Sequence, residues 1–319
     1  MEKIPLQQTE AWQKLQQALG VNTFFISEND DKTSSAPVNY QMLILKKNTP
    51  LGPYFYLPYG PYLREKTYAL PAYKALEKLI EQENVIFTRI EPENAKNAAY
   101  WLEKAKKSKD LSPKETWVLD LEPDLDELYK NMKQNTRNLA KNYHKKGIEV
   151  KKFTAKDDQD GKNLKILENF LENVAKNRHF SPIEKKTLKA EFNQPFASLF
   201  IAYYGKIPIA ASLFFDNEKT RYYMQSGTDA NYKKLPGTYA VLIEAIKDAK
   251  KKELKFFDFW GIAPENADKN HPWAGFTKFK KSFGGQEVVY AGTHDIIRKP
   301  AKYRLYKILR RLNRFLRKI

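Results

Sequence analysis

The residues best suited to chemistry stand close together late in the chain. In FFDFWGIAPENADKNHPWAGFTKFKKSFGG, residues 256–285, Lys280 keeps helical spacing with Phe276, Phe279 and Phe283, and Gly284 with Gly285 stops the turn. An ammonium held against aromatic walls can face a developing oxyanion. Asp258 lies on a strand leading towards it, where a carboxylate can handle a proton or orient Lys280. Trp260 and Phe279 are the aromatic candidates for a substrate wall. Taken alone, the stretch also reads as a core strand, a polar loop and an amphipathic helix whose lysines are solvated.

These side chains need a strand and a short helix to hold them. Phe256 to Trp260 are strand formers, ended by Gly261 and by Pro264, which has no backbone donor. Upstream, the alternation in RYYMQSG puts Arg221, Tyr223 and Gln225 on one strand face and Tyr222 and Met224 on the other. A helix expected over 124–146 carries Arg137, Lys141 and Lys145, a basic row that suits RNA and suits a solvated linker equally.

Composition removes several alternatives. The chain has 319 residues and no cysteine, which excludes disulfides, thiolate zinc sites and a thioester route through cysteine. The four histidines show no metal-ligand spacing, so neither a metal nor a bound cofactor is expected. A formal charge of +18 points to polyanionic partners: RNA, phosphorylated substrates or an anionic membrane surface. Residues 298–319 hold ten Lys or Arg and no acid, with Leu305, Ile308, Leu309, Leu312, Leu316 and Ile319 at helical spacing. That helix can pack on the body, lie on an anionic membrane or bind RNA. No signal peptide and no uninterrupted apolar run of spanning length is present, which fits a cytoplasmic chain, soluble or peripheral.

Along the chain the periodicity predicts helices over 8–19, 68–81, 95–107 and 124–146, and strands over 24–27, 40–46, 54–57, 85–90 and 116–121. The second half predicts a strand at 148–153, helices at 164–177 and 184–192, strands at 197–204, 207–215 and 220–226, a helix at 239–252 and the strand ending at Trp260. The order in the two halves repeats at an offset of about 170 residues. This implies two tandem copies of one α/β (α+β) unit on mostly antiparallel, mixed sheets. The expected division is 1–145 with 296–319 as the first domain, and 146–295 as the second.

The order of strand, two helices, three strands, long helix and strand resembles acyl-CoA N-acyltransferase (GNAT-like) domains. In those enzymes a glycine-rich turn at the long helix cradles a pyrophosphate; here the turn is Lys233-Lys234-Leu235-Pro236-Gly237-Thr238, and Pro236 has no N–H to donate. Two such units, with FDFWGI and FTKFKKSFGG in the second and the turn Leu57-Pro58-Tyr59-Gly60-Pro61 in the first, resemble the FemABX family over nearly the whole chain. Without a long inserted helical arm, the chain is similar to the compact, FemX-like branch.

The resemblance implies a monomeric aminoacyltransferase. It would pass an amino acid from aminoacyl-tRNA to the stem-peptide amine of a peptidoglycan precursor, either lipid II or UDP-MurNAc-pentapeptide. It further implies that Lys280 is the key position, that Arg178 and Tyr232 contact the precursor, and that the helix with Arg137, Lys141 and Lys145 contacts RNA. Arg221, Tyr223, Trp260 and Phe279 would then line the groove, with Asp258 beside Lys280. A lipid-linked acceptor would place the chain at the inner face of the plasma membrane through residues 298–319. A CoA-dependent N-acyltransferase, or a non-enzymatic RNA- or membrane-binding protein, are the alternatives.

Overall fold

The computed structural model describes residues 4–29, 37–178, 183–268 and 270–316. The chain divides into two units, one of residues 1–114 with 289–319 and the other of residues 115–288.

The first unit begins with helix α1 (Glu10–Ala18), capped by the Thr9 hydroxyl, which accepts from the Trp12 amide at 3.3 Å. Strands β1 (Asn22–Asn29), β2 (Val38–Lys47) and β3 (Tyr54–Leu57) form an antiparallel meander, with the short β4 (Tyr62–Leu63) also on β2. Helix α2 (Ala69–Gln82) buries Ala72, Leu76 and Ile80 along one face and returns the chain to β5 (Phe87–Ile90), which runs parallel to β3. Helix α3 (Ala99–Glu103) places Trp101 in the core, its indole N–H donating to the Ala69 carbonyl at 2.8 Å. The sheet is completed by β6 (Lys106–Lys107) and, from the far end of the chain, β14 (His294–Ile297), followed by α10 (Pro300–Leu316).

In the second unit, β7 (Glu115–Asp120) leads into α4 (Leu125–Asn131) and α5 (Gln134–Asn142), then β8 (Ile148–Phe153), α6 (Lys162–Arg178) and α7 (Lys185–Phe192). Strands β9 (Ala197–Tyr204), β10 (Ile207–Asn217) and β11 (Thr220–Thr228) make the second meander. Helix α8 (Gly237–Lys251), with Val241, Ala245 and Ala249 buried, carries the chain to β12 (Phe256–Gly261), parallel to β11. Helix α9 (Ala274–Lys281) and β13 (Gln286–Val289) follow, and the sheet order is β13-β7-β12-β11-β10-β9-β8. Each unit therefore has a meander, a helical crossover and a parallel strand, in the mixed, mostly antiparallel sheet expected.

The structure corrects three expectations. The contact division falls after Lys114 and before Val289, where 145 and 296 were expected, because β7 pairs antiparallel with β12 (Leu119 opposite Phe257). A strand's periodicity does not name its pairing partner. The helix expected over 124–146 breaks at Met132 and Lys133, both extended, where the Lys133 amide donates to the Ser282 carbonyl at 2.9 Å. The helix expected over 95–107 shrinks to α3, since Asn94 caps the Lys96 and Asn97 amides and Lys106–Lys107 joins β14.

Candidate active site

Strands β11 and β12 are parallel neighbours only from Thr220↔Phe256 to Tyr222↔Asp258. Beyond that point they diverge, and β11 runs on to Thr228. Two irregularities shape the opening. A bulge in β11 makes Gln225 oppose Leu213 while Tyr223 opposes Phe214, so Met224 is the extra residue. In β12, Trp260 adopts a left-handed backbone (φ 66°), and its amide donates to Asp258 Oδ1 at 2.7 Å. A bulky residue in this region is uncommon, and here a buried carboxylate holds it there. The result is a cavity of about 540 Å³ between β11, the start of α8, α6 and α9.

Lys280 is on its wall and 8% exposed. Its Nζ donates to the Gly261 carbonyl at 2.7 Å, and one turn earlier Thr277 Oγ1 accepts from the Ala263 amide at 2.8 Å. One face of α9 thus fastens the segment that leaves β12. The ammonium lies 5.0 Å from the Phe276 ring centre and 6.0 Å from that of Tyr223. Burial lowers its pKa from 10.5 to about 8, against the opposing pull of the Asp258 charge. Such a lysine is a cation at neutral pH that sits close to giving up its proton.

Phe279, Tyr223 and Trp260, expected along the groove, and Tyr232, expected to contact the precursor, all line this cavity. Phe279 is held edge-on to Tyr239 with ring centres 5.0 Å apart. The Tyr223 phenol is raised by burial, with the Ser226 and Ser212 hydroxyls pulling it back. Asp258 is fully buried behind the wall and outside the cavity lining, where it orders Trp260.

Arg221 departs from expectation. It shares the face of Tyr223 but lies at the opposite end of β11, beside the hairpin that joins β10 to β11. There it is fully buried, donates to both Asp216 oxygens at 2.7 Å and to the Ala245 carbonyl at 2.8 Å, and meets Asp248 at 2.8 Å. These contacts make it a scaffold cation under α8. Arg178 ends α6, and its side chain lies outside the described residues. Arg137 and Lys141 belong to α5, and Lys145 to the turn after it. Arg137 donates to the Lys130 carbonyl at 3.3 Å, Lys141 lies 4.7 Å over the Tyr129 ring, and Lys145 is exposed; none of the three lines the cavity.

Sequence reasoning missed Ser226, Thr228, Thr238 and Tyr239, which give the cavity much of its polar lining. Glycine was the available signal: a Cβ on Gly237 would come within 3.0 Å of Ile209, and one on Gly227 within 2.5 Å of Phe170, so both mark close approaches around the cavity. Among the described residues, no cluster of His, Asp or Glu could hold a metal, and no helix is long and apolar enough to cross a membrane.

The FemAB family model matches residues 156–311. The aminoacyltransferase FemA of Staphylococcus epidermidis is 30% identical over 111 residues, 34% of this chain and 26% of that protein. The chain thus matches about a quarter of the length of that curated relative. A crystal structure of FemX superposes with a TM-score of 0.82 at 16% identity, covering 95% of each chain. The C-terminal domain of a putative lysylphosphatidylglycerol synthetase from Agrobacterium fabrum superposes with a TM-score of 0.63 at 9% identity, over 93% of this chain and 90% of that one. At these identities the two structures speak for the fold.

Proposed function

We propose that the chain is a FemABX-type, tRNA-dependent aminoacyltransferase, a reading supported by the FemAB family model's match to residues 156–311 and by the 30% identity to FemA over 111 residues. It moves an amino acid onto the stem-peptide amine of a peptidoglycan precursor and so serves cell-wall biogenesis and cell shape. The observation that carries this reading is Lys280, buried in the cavity wall with its pKa lowered to about 8 and its ammonium fixed by the Gly261 carbonyl.

The donor ester is already activated, so no covalent enzyme intermediate is required. The acceptor amine, as the free base, attacks the ester carbonyl. The C–N bond forms, the C–O bond to the ribose breaks, and the proton shed by nitrogen ends on the ribose oxygen. The protein must hold amine and ester together and stabilise the tetrahedral oxyanion. Lys280 supplies the positive charge, in surroundings where burial makes it count for more than in water. Trp260, Phe279 and Tyr223 shape the wall, and Tyr232 offers a phenol at the rim. The basic residues Arg137, Lys141 and Lys145 would meet tRNA phosphates outside the cavity, and Arg178 would meet the precursor. The chain acts as a monomer on the cytoplasmic side of the membrane.

The test is to incubate the chain with charged tRNA and either UDP-MurNAc-pentapeptide or lipid II, and to weigh the acceptor. A mass gain of one aminoacyl group is expected. No transfer to either acceptor, together with tight CoA binding, would reverse the reading in favour of a CoA-dependent N-acyltransferase. Pro236, which removes an N–H at the start of α8, speaks against that alternative.

A further inference from the structure

Helix α10 joins its unit through one side. Tyr303 is buried, its hydroxyl donating to Asp295 Oδ2 at 2.8 Å and its ring edge-on to Phe87 at 5.1 Å. Tyr306 packs beside it, 5.0 Å from Phe87 and 5.7 Å from Tyr54. The opposite side is apolar and open: Leu305 is 45% exposed, Ile308 52%, Leu309 38% and Leu312 53%. These four recur at i, i+3, i+4 and i+7, which makes one continuous stripe on a helix. On either side of the stripe stand Lys302, Arg304 and Arg311, all exposed, and the helix has no acidic residue.

We propose that this stripe is a docking face for an anionic lipid surface, with α10 lying in the plane of the headgroups. Leucines reach the acyl boundary while flanking Lys and Arg reach lipid phosphates, the pattern of an interfacial helix. Two other occupants fit less well. RNA would answer the cations but would gain nothing from four exposed aliphatic side chains, since nucleic-acid contacts are made to phosphates and base edges. A second copy packed stripe to stripe would bring two helices rich in cations and empty of acids together, and like charges at close quarters repel. The inference stands apart from the transfer reaction, because binding is read without donor or acceptor.

The absence of cysteine gives a clean probe. Ile308→Cys in the full chain, labelled with an environment-sensitive fluorophore, is mixed with vesicles of phosphatidylcholine alone or with phosphatidylglycerol added. A blue shift is expected on the anionic vesicles only, reversed by high salt. Co-sedimentation of the unlabelled chain should fall about tenfold with Leu305→Ser/Leu309→Ser and by a similar factor with Lys302→Gln/Arg311→Gln, at unchanged thermal stability. Sedimentation with no change at the label would overturn the proposal, as would equal binding to zwitterionic vesicles. So would a shift produced by RNA in place of vesicles, or a concentration-dependent shift without lipid that tracks dimer formation in ultracentrifugation.

Discussion

The two units meet the same geometric problem, a pair of parallel strands that must part at one end, and solve it in opposite ways. In the first unit the gap past β3 and β5 is closed. The Glu91 amide donates to the Gly60 carbonyl at 3.0 Å, and the fully buried Gln8 fills the remaining space. Gln8 Nε2 donates to the Pro58 carbonyl at 2.7 Å and its Oε1 accepts from the Leu43 amide at 2.9 Å. In the second unit the parting of β11 and β12 leaves a cavity with Lys280 on its wall. Both use an aromatic residue with left-handed backbone near the split, Tyr59 (φ 52°) and Trp260 (φ 66°). Tyr59 is buried, with its hydroxyl donating to the Pro113 carbonyl at 3.2 Å, whereas Trp260 is half-buried at the cavity. The difference teaches that the fold parts its parallel strands twice, and that in the first unit the buried Gln8 and the Glu91–Gly60 backbone bond bridge the parting.

The largest expected effect belongs to the open copy. Lys280→Ala should lower the rate constant of aminoacyl transfer by about 10²–10³, the range seen when one oxyanion donor is removed. Single-turnover kinetics at unchanged circular dichroism check it; an undiminished rate would end the contrast between the two copies. Next, Arg221→Met should cost about 3 kcal/mol of stability by leaving Asp216 and Asp248 without their buried partner. Denaturant unfolding measures this, and activity per folded molecule should persist, which separates the scaffold of the second unit from its cavity. In the closed copy, Gln8→Ala should cost about 2 kcal/mol, because the Leu43 amide and Pro58 carbonyl lose their partner and a void opens. Transfer should be unaffected, and a large loss of transfer would contradict the division of roles.

A smaller effect is set by pH. With Lys280 titrating at about 8, the rate constant should fall by about tenfold per pH unit above that value, and the fall should move upward in Lys280→Arg, whose charge persists. The sign for stability is opposite. The folded lysine has the lower pKa, so between about 8 and 10.5 the unfolded chain binds more protons and stability rises with pH, a rise absent in Lys280→Met. Unfolding midpoints across that window read it directly. A pH–rate profile identical in all three proteins would assign the titration elsewhere.

Much of the arrangement around Lys280 was legible because it is local. Phe276, Phe279 and Lys280 share α9, with Phe283 in the turn just past its end, and their spacing alone puts them on neighbouring faces. The alternation in β11 gave the right face for Tyr223 and Arg221, but face is only one coordinate. Position along the strand separates a cavity wall from a buried ion pair, and that depends on where β10, α8 and β12 stop beside it. Asp258 was placed next to Lys280 by strand order, and its charge does act on that lysine, but its bond to the Trp260 amide follows from the left-handed turn at Trp260 and could not be read from the pattern. The break in the helix after Asn131 was invisible for the same reason: it is stabilised by the Ser282 carbonyl, 149 positions away from Lys133 in the order of the chain.

By itself the sequence determined the repeated order of elements, the basic amphipathic end and the aromatic setting of Lys280, since each is written in periodicity and residue type over a few turns or strands. Tertiary structure alone decided that β7 belongs to the second sheet and β14 to the first, that Gln8 bridges the parting strands of one unit while Lys280 stands on a cavity wall in the other, and that burial lowers the pKa of Lys280. Strand pairing, void filling and desolvation are all set by groups distant in the chain, and local pattern carries no record of which distant group arrives.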